Sequence, residues 1–203
     1  MTLVRSATSA EIPEVGRTLA AAFEDDPVWR WLVPPARGWQ DRLAGFFAME
    51  CEHALARGGE VLVDDELRGA AIWAAPERWK GNLSQTARMV PRALPLFRGR
   101  LVRALRTEVI TEKQHPHDPP HWYLAYLGAR PGHQGKGIGS ALISAVVDRC
   151  DEEGIPAYLE SSKEANLALY HRKGFELTGQ FGTAGGGPPI WTMWREPRPG
   201  GVA

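Results

Sequence analysis

The sequence predicts an α/β domain in which helices flank a mixed sheet. Three observations lead there. Two short apolar runs, 60–63 and 68–75, are separated by Asp64-Asp65 and read as an antiparallel hairpin. The aromatic run 122–129 reads as a strand and passes through a glycine-rich turn into a helical period. A further apolar run at 157–161 lies beyond that helix, so the two strands are expected to be parallel neighbours joined by a crossover. No repeat and no linker divides the chain, and one domain is expected over 1–203, with a frayed tail from about 197.

The elements follow in order. Residues 2–7 form a short strand candidate. Thr8-Ser-Ala-Glu11 is a capping box, and Ile12, Val15, Leu19 and Phe23 recur at helical spacing, so a helix is expected over 9–24. It runs into Glu24, Asp25 and Asp26, acids at the negative end of a helix dipole, either solvated or held there for a cation. Pro27 restarts a short helix through Val33 that Pro34 and Pro35 end. Its Trp29 and Trp31 fill core or wall a pocket. A helix from about Trp39 to Ala56 buries Leu43, Phe46, Phe47, Cys51 and Leu55, and Gly58-Gly59 stops it.

After the hairpin, 83–109 looks helical but interrupted at Pro91 and Pro95. It carries Arg88, Arg92, Arg98, Arg100, Arg103 and Arg106, either a solvated face or a lip that attracts phosphate. The segment from His115 to His121 contains ligand-type side chains, but its prolines deny it a metal-site spacing, and it reads as a loop. Beyond the helix from Lys136 to about Glu153 come the strand 157–161, a short helix 164–172, a strand from Phe175, a glycine-rich loop and a final strand 188–194.

Composition narrows the partners. Twenty-four basic and twenty-four acidic side chains cancel, so no global field favours nucleic acid or an anionic membrane. Cys51 and Cys150 have no CxxC spacing, no apolar stretch has the length of a signal peptide or a membrane span, and a reducing cytoplasm is expected.

The chemistry concentrates at Gln134-Gly-Lys-Gly-Ile-Gly139. Glycines there let backbone N–H groups approach a ligand, and a helix N-terminus favours an anion, so the turn reads as a phosphate cradle. It is not a P-loop, because Gly137 rather than Ser or Thr follows Lys136. Only one strand–helix–strand unit accompanies it, which argues against a dinucleotide fold.

Gln134-x-x-Gly137-x-Gly139 after a strand, with Asn166-x-x-x-Tyr170-x-x-x-Gly174-Phe175 downstream, resembles the GCN5-related N-acetyltransferases over nearly the whole chain. Within that family the stretches 17–23, 133–137, 156–157 and 191–193 are similar to the puromycin N-acetyltransferase branch. The resemblance implies a largely antiparallel central sheet with one splayed parallel pair, acetyl-CoA as donor, a primary amine of a small molecule as acceptor, and no metal. Backbone groups of Leu127, Gly128 and Ala129 would hold the pantetheine arm. Those of Gln134, Gly135, Lys136, Gly137, Ile138, Gly139 and Ser140 would hold the pyrophosphate, and Asn166 would orient the arm.

Tyr170 would donate a proton to the departing thiolate, or else pack in the sheet. Many members of the family have a glutamate where this chain has Tyr123. The base is therefore Glu160 or a chain of waters, and Glu160 is equally a structural carboxylate. Phe23, Asp25, Asp26, Trp29 and Tyr123 would meet a cationic, partly aromatic acceptor such as an aminonucleoside or a metabolite. The contrasting expectations are a non-catalytic acyl-CoA-binding module and an enzyme acting on a protein amine. A homodimer through the apolar final strand stays open.

Overall fold

A computed structural model describes residues 2–34, 36–79, 91 and 93–198. Seven strands form one sheet in the order β1-β2-β3-β4-β5-β7-β6. They are β1 (Val4–Ser6), β2 (Glu60–Asp64), β3 (Gly69–Ala74), β4 (Trp122–Ala129), β5 (Ala157–Ser161), β6 (Glu176–Gly182) and β7 (Pro189–Arg195). Only β4 and β5 are parallel; every other pair is antiparallel. The hairpin, the crossover and the final strands are where the residue patterns place them. The last strand is interior, between β5 and β6, so its apolar character serves the sheet itself.

The parallel pairing is short. Trp122, Tyr123 and Leu124 face Ala157, Tyr158 and Leu159, and the register stops there. Beyond it β4 continues against β3 as far as Ala129, while β5 stays paired with β7 along its whole length. A bulge at Ala125 bends β4 at the point of parting: Ile72 pairs with Tyr126 and Trp73 with Leu124, leaving Ala125 extra. The edge of β4 from Ala125 to Ala129 that faces β5 therefore has no strand beside it.

Helices cover both faces. On one lie α1 (Ile12–Ala22), α2 (Pro27–Leu32) and α3 (Trp39–Ala56); on the other lies α5 (Ile138–Glu153). Strand alternation sorts the core between them. Val61, Val63, Ala70 and Ile72 face α1 and α3, while Leu62, Ala71 and Trp73 face α5 with Leu142, Val146 and Val147. The capping box forms, but the first turn, Ser9–Glu11, is a 3-10 turn ahead of α1. Gly128 has the close approach that only glycine permits, since a Cβ there would stand 2.5 Å from the Cβ of Ala22 on α1.

Of the arginine-rich segment, 80–90 and 92, with Arg88 and Arg92, lie outside the described residues. The rest is helical over 93–97, passes through a 3-10 turn at Arg98–Arg100, and becomes α4 (Leu101–Gln114). Two of its arginines are neither solvated nor a phosphate lip. Arg100 donates to the carbonyls of Arg30, Trp31 and Val33 at 3.0, 3.1 and 3.3 Å, closing the C-terminus of α2. Arg103 donates to Trp31 at 3.2 Å and stacks over its ring. The short α6 (Leu167–Arg172) completes the set. No helix among the described residues is long and apolar enough to cross a membrane.

The far end of the sheet is tied down by charge. Arg195 of β7 is 4% exposed and grips Asp151 of α5 with two bonds of 2.8 and 2.6 Å. The Arg195 hydrogen bonds hold the Asp151 carboxyl below the usual aspartate range. Asp151→Asn should destabilise the fold by about 3 kcal/mol, because it strands a buried guanidinium. A group with a lowered folded pKa adds stability above its unfolded pKa and loses it as pH falls through the folded one. Urea titrations should therefore show the wild-type advantage at pH 7 shrinking below about pH 4.

Candidate active site

The turn between β4 and α5 has the backbone of an anion cradle. Gly135 and Gly137 adopt φ of +74° and +84°, a region that side chains with a Cβ rarely enter. A Cβ at either would meet no atom within 4 Å, so the space above the turn is open. Gly137 caps α5, and the first N–H groups of the helix, from Ile138, Gly139 and Ser140, have no carbonyl upstream to accept them. Among the described residues these donors find no other partner. Gln134 turns back to the carbonyl of Ala129 at 3.3 Å, tying the loop to the end of β4. Lys136 is exposed.

Where β4 and β5 part, a cavity of about 210 Å³ opens. Phe23, Trp29, Leu127, Asn166, Tyr170 and Glu160 are among its walls. A second hollow of about 150 Å³ meets it along Tyr123, Ala125, Tyr126, Glu108 and Thr111. The cavity thus runs from the cradle side of the sheet, at Leu127 and Asn166, to α3 and α4 on the other.

Trp29 both fills core and walls the pocket. It is 8% exposed, with ring centroids 5.2 and 5.3 Å from Phe46 and Phe47. Phe23 packs on Phe47 and edge-on to Tyr126. The acids of the α1–α2 turn have other employment than the sequence suggests. Asp26 is the N-cap of α2, accepting from the N–H groups of Val28 and Trp29 at 3.0 Å each and from the hydroxyl of Ser162. It borders the cavity, and burial raises its pKa. Asp25 lies outside the cavity, largely exposed and paired with Lys163 at 2.5 Å.

Glu160 stands at the floor. Its Oε2 accepts from the hydroxyl of Tyr123 at 2.5 Å and its Oε1 from that of Tyr158 at 3.0 Å. Tyr123 and Tyr158 are register partners across the β4–β5 pair, and Glu160 lies two residues past Tyr158 on the same side of β5. Burial first, and then the Glu160 charge, pushes both phenols up, so they stay protonated donors. Tyr170, 6% exposed on α6, also faces the cavity; burial, then the Asp26 charge, raises it.

Three groups that the residue patterns did not assign to the site line the second hollow. Burial raises Glu50 of α3 to about 8, with the Glu108 charge adding to it. Glu108 of α4 is also raised, by enclosure first and then by Glu160 and Glu112, although its carboxylate keeps contact with solvent through the cavity. His115 is buried against Glu160. Glu50 and Glu108 sit on helices whose apolar stripes gave no hint of them. Among the described residues no cluster of three or more His, Cys, Asp or Glu has metal-ligand geometry. Cys51 and Cys150 are buried away from the cavity, with thiols pushed up to about 12 by burial.

Comparison with known proteins agrees with this geometry. A family model described as the acetyltransferase (GNAT) family matches residues 93–175. An N-acetyltransferase of Schizosaccharomyces pombe is 29% identical over 176 residues, 78% of this chain and 68% of that protein. An L-methionine sulfoximine/L-methionine sulfone acetyltransferase of Salmonella typhimurium is 40% identical over 58 residues, 27% of this chain and 34% of that enzyme. The chain thus spans only about a third of that second relative. A Corynebacterium glutamicum structure described as histone acetyltransferase HPA2 and related acetyltransferase superposes with a TM-score of 0.73 at 26% identity, covering 100% of both chains. An acetyltransferase of Salmonella typhimurium, crystallised with acetyl-CoA, has a TM-score of 0.56 at 19% identity, covering 100% of this chain and 96% of that one; it shares the fold.

Fold and cleft define an acyltransferase. Residues 93–175 match the acetyltransferase (GNAT) family, the fold is shared with acetyltransferases over the whole chain, and the chain is an N-acetyltransferase.

Two expectations follow. Gly137→Val forces a β-branched residue into a left-handed position, so calorimetry should show acetyl-CoA affinity falling at least tenfold while the far-UV spectrum persists. A carboxyl raised on folding contributes stability that is complete below its unfolded pKa and is lost as pH rises through the folded one. For Glu50 that window runs from about 4.5 to about 8. Glu50→Gln should therefore melt higher than wild type at pH 9 and show little gain at pH 5.

Proposed function

We propose that the chain transfers the acetyl group of acetyl-CoA to the primary amine of a small molecule by direct attack in a ternary complex. One observation carries the reading: Glu160 and Tyr170, from β5 and α6, line the same cavity at the point where β4 and β5 part. The cradle suits a pyrophosphate, since its N–H donors are free and the space over its glycines is open. The bare edge of β4 at Leu127, Gly128 and Ala129 suits the amide groups of a pantetheine arm, and Asn166 flanks the path to the cavity.

The attacking amine is cationic at neutral pH and needs a proton acceptor. Glu160 fills that role, its oxygens oriented by the phenols of Tyr123 and Tyr158. Attack on the thioester carbonyl expels a thiolate, which Tyr170 protonates. A buried phenol is a weak acid, yet a thiolate forming in the same dry cleft is raised as well, as the two buried thiols of this chain illustrate. Neither cysteine lines the cavity, which supports attack on the bound thioester rather than on an acylated enzyme.

The acceptor side is aromatic and acidic. Phe23, Trp29 and Tyr126 would pack an apolar body, and the carboxyl oxygens of Asp26 and Glu108 on the cavity wall can accept hydrogen bonds from an amine. Asp25, spent on Lys163, has no part in it.

A panel of amino acids, polyamines and aminonucleosides, puromycin included, tests the reading by thiol release. Tyr170→Phe should lower kcat by about 10²-fold and leave the acetyl-CoA dissociation constant unchanged. Full activity in that variant would remove Tyr170 from the mechanism, and a wild-type protein inert toward every amine would sink the proposal.

A further inference from the structure

The histidine segment read from sequence as a plain loop has a buried end. His115 and His121 are 3% and 1% exposed, and their Nε2 atoms are 3.0 Å apart. The Nδ1 of His121 lies 2.8 Å from the carbonyl oxygen of Pro119. A carbonyl only accepts, so that nitrogen carries the hydrogen. In a neutral His121 the Nε2 is then the acceptor, and His115 donates to it from its own Nε2. The tautomers are thus assigned by hydrogen-bond chemistry.

One consequence is specific. A neutral His115 keeps its lone pair on Nδ1, and that atom faces Glu160 Oε1 at 3.6 Å. Lone pair against carboxylate is unfavourable unless a proton lies between them, which makes the contact a place built to receive one. The ring cannot easily turn away. It stacks on Trp79 at 3.6 Å and meets Tyr123 and Tyr158 edge-on, each at 4.7 Å.

We propose that His115 is the second stage of the base, accepting at Nδ1 the proton that Glu160 takes from the amine; this rests on Glu160 being the base. The N–H bond of the bound ammonium breaks and an O–H bond forms on Glu160. That bond then breaks as N–H forms on His115, so Glu160 returns to carboxylate and the charge ends on an imidazolium. The imidazolium is stabilised by Glu160 beside it and by donation to His121. The proton lost from nitrogen on acyl transfer leaves separately, with the thiol. His115 releases its proton to solvent after the product departs. Because it touches Glu160 and not the substrate, His115 is a positioning residue.

Other charged groups approach His115 through the second hollow. Glu108 and Glu112 come from α4, Glu50, His53 and Arg57 from α3, and Arg78 from the chain after β3. Enclosure raises Glu50 and Glu108 and burial lowers His121 and His53, so all four tend toward their neutral forms. Glu160 is in ion-pair reach of the ring.

The test compares wild type with His115→Asn, which keeps a polar group near the Nδ1 position, and His115→Gln, which keeps one near Nε2. The readout is the ratio of wild-type to variant kcat/KM across pH, in which the ionisation of the amine cancels. The ratio should be about 10²-fold at the alkaline end and fall toward unity as pH is lowered, because a protonated imidazole accepts nothing. Glu160→Gln combined with His115→Asn should be no worse than Glu160→Gln alone. A ratio constant across pH, or full activity in both variants, overturns the proposal and leaves His115 a packing residue. Should both variants fail to fold, or no amine be accepted, ¹⁵N shifts of the wild-type histidines decide it without turnover. A proton on Nδ1 of His121 with a bare Nε2 supports the relay, and the opposite tautomer overturns it.

Discussion

Everything distinctive in this molecule depends on β4 and β5 parting after three paired residues. Parallel strands in a sheet normally continue until a turn ends them, because each unmade backbone bond leaves a donor or acceptor to satisfy. Here the bulge at Ala125 turns β4 aside while β5 stays paired with β7. The edge so exposed would be a liability on a sheet rim. In the interior it is open to the extended ligand proposed for it, whose amides would take the place of a strand. The cradle at Gly135 and Gly137 lies just past the end of that line, where α5 begins.

The parting also explains where the catalytic groups stand. A strand delivers side chains alternately to its two faces, and Tyr158 and Glu160 share a face of β5 next to Tyr123 of β4. The Glu160 carboxylate reaches across from β5 to β4, where Tyr123 presents a phenol that donates to it. The carboxylate arrives already solvated by two hydroxyls and flanked by a histidine, so burying it leaves neither oxygen without a partner.

Much of this was legible in the residues. The hairpin, β4, α5 and β5 fall where period and glycine placement put them, because each is a local pattern. The cradle was legible for the same reason: its chemistry is contained in seven consecutive residues. Asp26 lines the cavity and also caps α2, a second role that Asp26-Pro27, a cap followed by a first-turn proline, carries in its own two residues. The acidic walls were not legible, since Glu50 and Glu108 belong to helices 58 positions apart in sequence and only the tertiary packing encloses them. His115 was hidden differently. Its prolines correctly signalled a loop, and nothing local reveals that the loop folds two imidazoles inward against a strand 45 residues downstream.

Tyr170 and Glu160 sit in this cleft with different partners, and that difference suits the proposed reaction, which removes a proton on one side and returns one on the other. Tyr170 has desolvation and the Asp26 charge acting on it, both of which hold its proton in place until a stronger base than water appears beside it. A nascent thiolate in the same dry space is such a base. Glu160 has phenol donors on both oxygens and the ring of His115 beside it. The two groups share one cavity, yet α6 and β5 give them different surroundings. On the proposed reading, the same enclosure that keeps Tyr170 protonated holds Glu160 in the cavity where the amine would stand.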